Sequence, residues 1–155
     1  MNNKVSASKK IRTFAIAWLS SLALFVISLI VNLDIQSITY YMLALLIIFI
    51  AVAFAKGGFY YIETESNKES FKIKHFNLFP LTRQYSAIEI RWSRFYNYEV
   101  VTKYRGKAHF LILYEQTGRG LAKYPAIGLT ALNKSELMSL TEMLEKRTKS
   151  KQHKK

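Results

Sequence analysis

Residues 14–33 read FAIAWLSSLALFVISLIVNL, and residues 38–55 read ITYYMLALLIIFIAVAFA. Neither stretch contains a charged side chain. At about 1.5 Å rise per residue, each would form a helix of about 27–30 Å, which matches the roughly 30 Å hydrocarbon thickness of a bilayer. Because only residues 34–37 separate them, the sequence predicts two antiparallel membrane-spanning helices joined as a hairpin.

Two other interpretations of these stretches are weaker. As core helices of a soluble protein, they would need more chain than the remaining residues to bury them. A cleaved signal peptide has an apolar core of about 7–15 residues followed by a small-residue cleavage site. The first stretch is longer than that and a second span follows it, so we predict an uncleaved anchor over residues 1–56.

The flanking charges predict the orientation of the hairpin. The loop between the spans carries only Asp34. Basic residues lie on the other side of both spans: Lys4, Lys9, Lys10, Arg12 and Lys56. Positive charge near membrane spans marks the cytoplasmic side. We therefore expect both termini in the cytoplasm and the 34–37 loop outside.

Residues 57–148 have the pattern of a small domain of strands followed by one helix. Asn133 and Glu136 have the spacing of a capping box, and apolar residues at helical spacing then predict a helix over 133–148. The basic residues 149–155 contain no apolar side chain and are expected to form a disordered tail. Alternating apolar residues predict strands within 59–64, 70–76, 85–92, 96–104, 109–114 and 121–124.

Residues 70–92 read SFKIKHFNLFPLTRQYSAIEIRW. This segment resembles the core of bacterial PH-type domains, which often follow a two-helix membrane hairpin. In layout, the chain is also similar to the EbsA-like family, which is associated with pore formation. The resemblance implies an α+β fold, in which a transmembrane helical hairpin precedes a small PH-like antiparallel β-barrel capped by a C-terminal helix. It assigns no role to any individual residue.

The residues that usually carry catalysis are sparse in this chain. It has no cysteine, which excludes disulfides, thiol catalysis and cysteine metal sites. Its histidines are His75, His109 and His153, and none has a second ligand at the spacing of a zinc site. No phosphate-binding loop or serine nucleophile motif is present. We predict a protein that is not an enzyme and needs no cofactor or metal.

Positive charge is the main functional signal of the second part of the chain. From residue 56 onward there are 19 lysines and arginines against 9 glutamates, a net charge of +10. A tethered cytoplasmic domain faces an anionic leaflet that attracts such charge. Nucleic acid is a weaker candidate partner, because the chain is tethered to a membrane. The candidate residues for binding membrane lipids or a partner are Arg83, Arg91, Arg94, Lys103, Arg105, Lys107, Lys146, Arg147, Lys149 and Lys151.

Two functions fit these features. The first is a non-enzymatic membrane protein whose PH-like domain is a binding or scaffolding module at the inner leaflet, serving the cell envelope. Its partner would be lipid, another protein or a second copy of the chain. The alternative is a subunit of an oligomeric pore-forming or export assembly, as the EbsA-like resemblance implies.

Overall fold

The computed structural model describes residues 1–30 and 37–152. Its first two elements are the helices α1 (Lys4–Ile30) and α2 (Ser37–Lys56). Both are long and apolar enough to cross a membrane, and only 6% of each apolar segment is buried inside the protein. A core helix of a soluble domain would be mostly buried. This exposure therefore favours helices whose apolar side chains face lipid.

The two helices lie antiparallel, as the short link between them predicts. The ring of Phe14, where the first apolar stretch begins, stacks on Phe54, near the end of the second, with centroids 4.1 Å apart. Towards the other end, the Tyr40 hydroxyl donates a hydrogen bond to the Ser28 carbonyl at 3.2 Å. The antiparallel packing of the two predicted helices is thus confirmed. Residues 31–36, which include most of the predicted loop, lie outside the described residues.

The first sheet contains three antiparallel strands, β1 (Tyr60–Ser66), β2 (Ser70–Asn77) and β3 (Ser86–Arg91), in that spatial order. Phe71 of β2 lies opposite Ile90 of β3. Both side chains are buried. Since side chains alternate between the two faces of a strand, this register places the apolar positions of the sheet on one face.

The second sheet contains β4 (Phe95–Lys103), β5 (Ala108–Thr117), β6 (Gly120–Lys123) and β7 (Ile127–Gly128). β5 is central: β4 pairs with one edge, and β6 and β7 pair in succession along the other. Pro125 lies between β6 and β7 and has no N–H to donate. The edge strand is therefore interrupted there.

The two sheets do not close into the barrel that the sequence analysis predicts. Within residues 37–152, β3 pairs with β2 and β4 pairs with β5, and no ladder joins β3 to β4. Trp92 and Phe95 are both buried at the corner between these strands. A turn over residues 92–94, in which Arg94 N–H donates to the Arg91 carbonyl at 2.9 Å, carries the chain from the first sheet into the second.

Helix α3 (Lys134–Gln152) packs on the core between the sheets. The predicted capping box is confirmed: Glu136 N–H donates to Asn133 Oδ1 at 2.8 Å, and Asn133 N–H donates to Glu136 Oε2 at 2.7 Å. Leu140 and Leu144 are almost fully buried in the same cluster as the core residues of both sheets. The helix therefore covers the core that the two open sheets leave between them.

The helix continues beyond the predicted boundary at residue 148. It ends at Gln152, so residues 149–152 of the predicted disordered tail are helical. These four residues include no glycine or proline, and lysine and glutamine are good helix formers. Residues 153–155 lie outside the described residues.

Candidate membrane-facing site

A cluster of aromatic rings joins the helical hairpin to the first sheet. Phe54 of α2 stacks between Phe14 of α1, at 4.1 Å, and Phe59 at 4.8 Å. Phe79, in the connection between β2 and β3, packs edge-on against Phe14 at 6.1 Å. Aromatic pairs of this kind contribute about 0.5–1.5 kcal/mol beyond their burial. We call these four residues the aromatic junction.

Backbone contacts reinforce the junction. Asn77 Nδ2 donates to the Ala55 carbonyl at 2.9 Å, which satisfies one of the free carbonyls at the end of α2. The Gly58 carbonyl accepts a hydrogen bond from Thr130 N–H at 3.1 Å. A Cβ at Gly128 would lie only 2.3 Å from the Gly58 carbonyl oxygen. Only glycine allows the chain leaving α2 to approach the second sheet this closely.

The first three residues form part of the first sheet. Asn2 bridges to Glu63 of β1. The Asn3 side chain is fully buried: its Nδ2 donates to the Tyr60 carbonyl at 2.9 Å, and its Oδ1 accepts from Ile62 N–H at 2.8 Å. This segment therefore covers the outer edge of β1. The sequence offered no signal for it, because two asparagines before a basic run look like an ordinary tail.

The start of α1 is also tied to α3. Ser6 Oγ donates to Glu136 Oε1 at 3.0 Å and accepts from Asn133 Nδ2 at 3.2 Å. Ala7 is buried in the same cluster as Phe54 and two residues of the sheet domain, by which we mean residues 57–152. The helix α1 therefore begins within the sheet domain, ten residues before the predicted span, and continues from there into the apolar stretch.

These contacts determine which end of the sheet domain lies beside the hairpin. β1 begins four residues after α2 ends and runs away from it for seven residues, or roughly 20 Å. The strands then alternate in direction. The proximal end, beside the hairpin, consists of residues 77–86, 103–108 and 126–131. The distal end consists of residues 66–70, 91–95 and 117–120.

The structure divides the predicted binding residues between these two ends. The proximal end carries Arg83, Lys103, Arg105 and Lys107. The distal end carries Arg91, Arg94, Lys146 and Arg147. Lys149 and Lys151 belong to the last turns of α3, whose end also lies on the distal side. The residues predicted as one basic surface thus form two separate groups.

The distal group is partly engaged in packing within the domain. The Arg147 guanidinium lies over the Trp92 ring at 5.2 Å. Arg94 Nη1 lies 4.0 Å from the Glu115 carboxylate, which is buried and also accepts a hydrogen bond from the Tyr124 hydroxyl at 2.5 Å. That hydrogen bond, with burial and the nearby negative charge, raises the pKa of Tyr124 to about 12. This cluster stabilises the distal end.

The proximal end contains an apolar cleft between α2 and the turn that joins β4 to β5. Its volume is about 480 Å³. Lys56 and Lys107 lie at its rim, and Tyr104 forms part of the wall supplied by the turn. We call it the α2 cleft. Its apolar lining includes Phe49, Val52, Ala53, Phe59 and Ala108.

A second groove of about 370 Å³ lies beside the α2 cleft, between α1 and α2. The two share Phe49, Ala53 and Phe59, so they form neighbouring parts of one apolar surface. Lys10 of α1 lies at the rim of the second groove. In the sequence, Lys10 and Lys56 indicate only the orientation of the hairpin, since nothing in their spacing links them to the distant Lys107.

The connection between β2 and β3 adds exposed apolar side chains to the proximal end. Leu81 is 86% exposed and Tyr85 is 78% exposed. The Tyr85 ring packs against the Phe76 ring, with centroids 4.6 Å apart. The Arg83 guanidinium lies 5.8 Å from the centre of the Phe76 ring. Aromatic and basic side chains together are typical of a membrane–water interface.

His75, on β2, is half-buried. Burial lowers the pKa of His75, and its Nδ1 has no hydrogen-bond partner among the described residues. Its ring lies 5.8 Å from that of Tyr60. Across residues 1–30 and 37–152, no group of three or more His, Asp or Glu side chains is arranged to hold a metal ion.

No family model matches this chain, and no curated protein or solved structure is similar enough to count as a match. Function is therefore inferred from the geometry of the two ends of the domain.

Proposed function

We propose that the chain is an integral membrane protein with two spans and both termini in the cytoplasm. The basic residues that flank the spans support this orientation, since they lie on the side of the sheet domain. In the structure, Lys10 and Lys56 lie at the base of the hairpin beside that domain. Positive charge at the ends of membrane spans favours a cytoplasmic location for those ends.

We further propose that residues 57–148 form a PH-like domain. Two antiparallel sheets around one core, with a C-terminal helix packed on that core, support this assignment. Membership of the EbsA-like family is a hypothesis that rests on the similarity of layout.

Within this framework, we propose a non-enzymatic binding or scaffolding module at the inner leaflet, acting in cell-envelope processes. The observation that carries the proposal is the attachment of the proximal end to the hairpin through the aromatic junction and residues 1–7. The proximal basic residues are then held at the leaflet, where each contributes about 1 kcal/mol of attraction to anionic lipid. The distal end points into the cytoplasm and is the surface available to a protein partner.

The test is reconstitution of the full chain into dye-loaded vesicles, followed by crosslinking in native membranes. A binding module should leave dye leakage at the level of empty vesicles. It should also form a crosslinked complex that weakens when Arg91 and Lys146 at the distal end are replaced by glutamate. Leakage that depends on the protein would instead favour the pore-forming alternative. If the distal variant forms the same amount of crosslinked complex, the distal end is not the surface that binds the protein partner.

A further inference from the structure

We propose that the α2 cleft is a binding site for one anionic phospholipid of the cytoplasmic leaflet. This inference rests on the proposed orientation of the hairpin, and it assigns a specific ligand to one part of the proximal end.

In the proposed orientation, the cleft spans the boundary between headgroups and acyl chains. Lys56 is the last residue of α2, and Phe49 lies seven residues earlier on the same helix, about 10 Å deeper at 1.5 Å per residue. Phe49 and Val52 are 69% and 47% exposed, so the apolar wall opens towards the surrounding lipid. An occupant can therefore enter from the bilayer with its acyl chain along α2 and its headgroup near Lys56.

The rim of the cleft carries positive charge only. Lys56 comes from the end of α2 and Lys107 from the turn between β4 and β5, and the residues that line the cleft include no carboxylate. Among the described residues, neither lysine has a carboxylate within ion-pair distance. Two lysines in a cleft with a mostly apolar lining complement a phosphodiester with an attached acyl chain. A volume of about 480 Å³ also lies within the range of roughly 300–1,000 Å³ that is typical of small-molecule sites.

The turn that presents Lys107 has an unusual backbone. Tyr104 and Arg105 have φ of 53° and 56°, and Gly106 has φ of 83°. Left-handed conformations are uncommon for residues other than glycine and carry a conformational cost. A simple hairpin turn would use glycine or asparagine at such positions. Tyrosine and arginine here instead supply an aromatic wall and a further positive charge beside the cleft.

The experiment uses the full chain in nanodiscs that contain equal amounts of phosphatidylglycerol and phosphatidylcholine. Native mass spectrometry then measures which lipid stays bound to the protein after the protein is released from the nanodisc. The wild-type protein should retain phosphatidylglycerol preferentially. Because two basic residues near a lipid surface act together, the double variant Lys56→Gln/Lys107→Gln should lower that preference by at least about tenfold.

Two further variants separate the cleft from general charge. Lys68→Gln/Arg119→Gln removes the same charge from the distal end and should leave the preference unchanged. Val52→Trp fills the cleft without changing charge and should reduce the retained phosphatidylglycerol, while circular dichroism shows that the protein remains folded. Equal retention of the two lipids by wild type, or equal loss in the proximal and distal variants, would overturn the proposal.

The outcome is distinguishable from a failure of the proposed function. Cysteine introduced at Gln36 and cysteine introduced at Ser150 report the two sides of the membrane through an impermeant thiol reagent. If only the first reacts on whole cells and phosphatidylglycerol is not preferred, the lipid site is wrong and the orientation stands. If the labelling pattern is reversed, the proposed orientation itself fails.

Discussion

Replacing Asn3 with alanine should destabilise the sheet domain, although this residue lies outside the predicted domain. Its fully buried side chain donates to the Tyr60 carbonyl at 2.9 Å and accepts from Ile62 N–H at 2.8 Å. Alanine would leave both backbone groups without these partners. Since a buried unsatisfied polar group costs about 1–3 kcal/mol, the free energy of unfolding should fall by about 2–4 kcal/mol.

Asn2 is the matched control for this substitution. It has the same chemistry, but its side chain is exposed and accepts only a long hydrogen bond of 3.4 Å from Lys4 N–H. Asn2→Ala should therefore change the free energy of unfolding by no more than about 0.5 kcal/mol. Urea unfolding of the full chain in detergent, followed by tryptophan fluorescence, measures both variants. Trp92 is buried in the core and reports the sheet domain.

Amide hydrogen exchange tests the same idea at single residues. Ile62 N–H bonds to the Asn3 side chain and Thr64 N–H bonds to the Met1 carbonyl at 2.8 Å. Both should exchange faster in Asn3→Ala than in Asn2→Ala. If the two variants unfold at the same urea concentration and these amides exchange alike, residues 1–3 are not part of the sheet and the reasoning is refuted.

Three further substitutions in the full chain test the core and its titratable groups. Leu140→Asp should abolish the cooperative unfolding of the sheet domain, because a charge without a partner in the core costs several kcal/mol; an unchanged thermal transition would show that α3 is packed differently. The pKa of His75 lies below the ordinary 6.5, so stability is complete above about pH 6.5 and falls as the pH drops through the folded pKa. His75→Phe should flatten that acid dependence in urea melts, and identical pH profiles would contradict the burial of the ring. Tyr124→Phe removes a hydrogen bond to a buried carboxylate and should cost about 1.5–3 kcal/mol; in absorbance titration it should also remove the phenol with a pKa of about 12.

The parts of the fold that could be predicted from the sequence depend on local patterns. Twenty residues without charge predict a membrane helix wherever they lie, and the capping box at Asn133 needs only a neighbour three positions away. The positions of most strands were also predictable, because the alternation of apolar and polar residues is a local pattern along the chain. The open arrangement of the sheets was missed, since alternation marks where the strands lie and not which strands pair.

The candidate site depends on contacts that are distant in sequence, and little of it was predictable. Arg83 and Arg91 are eight positions apart, yet β3 carries the chain from the proximal end to the distal end between them. Lys56 and Lys107 both line the α2 cleft, although they are 51 positions apart in the sequence. Asn3 pairs with β1 almost sixty residues later. No periodicity or spacing indicates these juxtapositions.

The most direct test of the central claim measures how deep the two ends of the domain lie relative to the bilayer. The chain has no cysteine, so a spin label can be placed on single cysteines at Leu81, in the proximal end, and Arg119, in the distal end. In vesicles that contain the full chain, a lipid-attached nickel relaxation agent should strongly relax the label at residue 81 and barely affect the label at residue 119. Equal relaxation of both labels, or stronger relaxation at residue 119, would contradict the claim that the proximal end is held against the membrane.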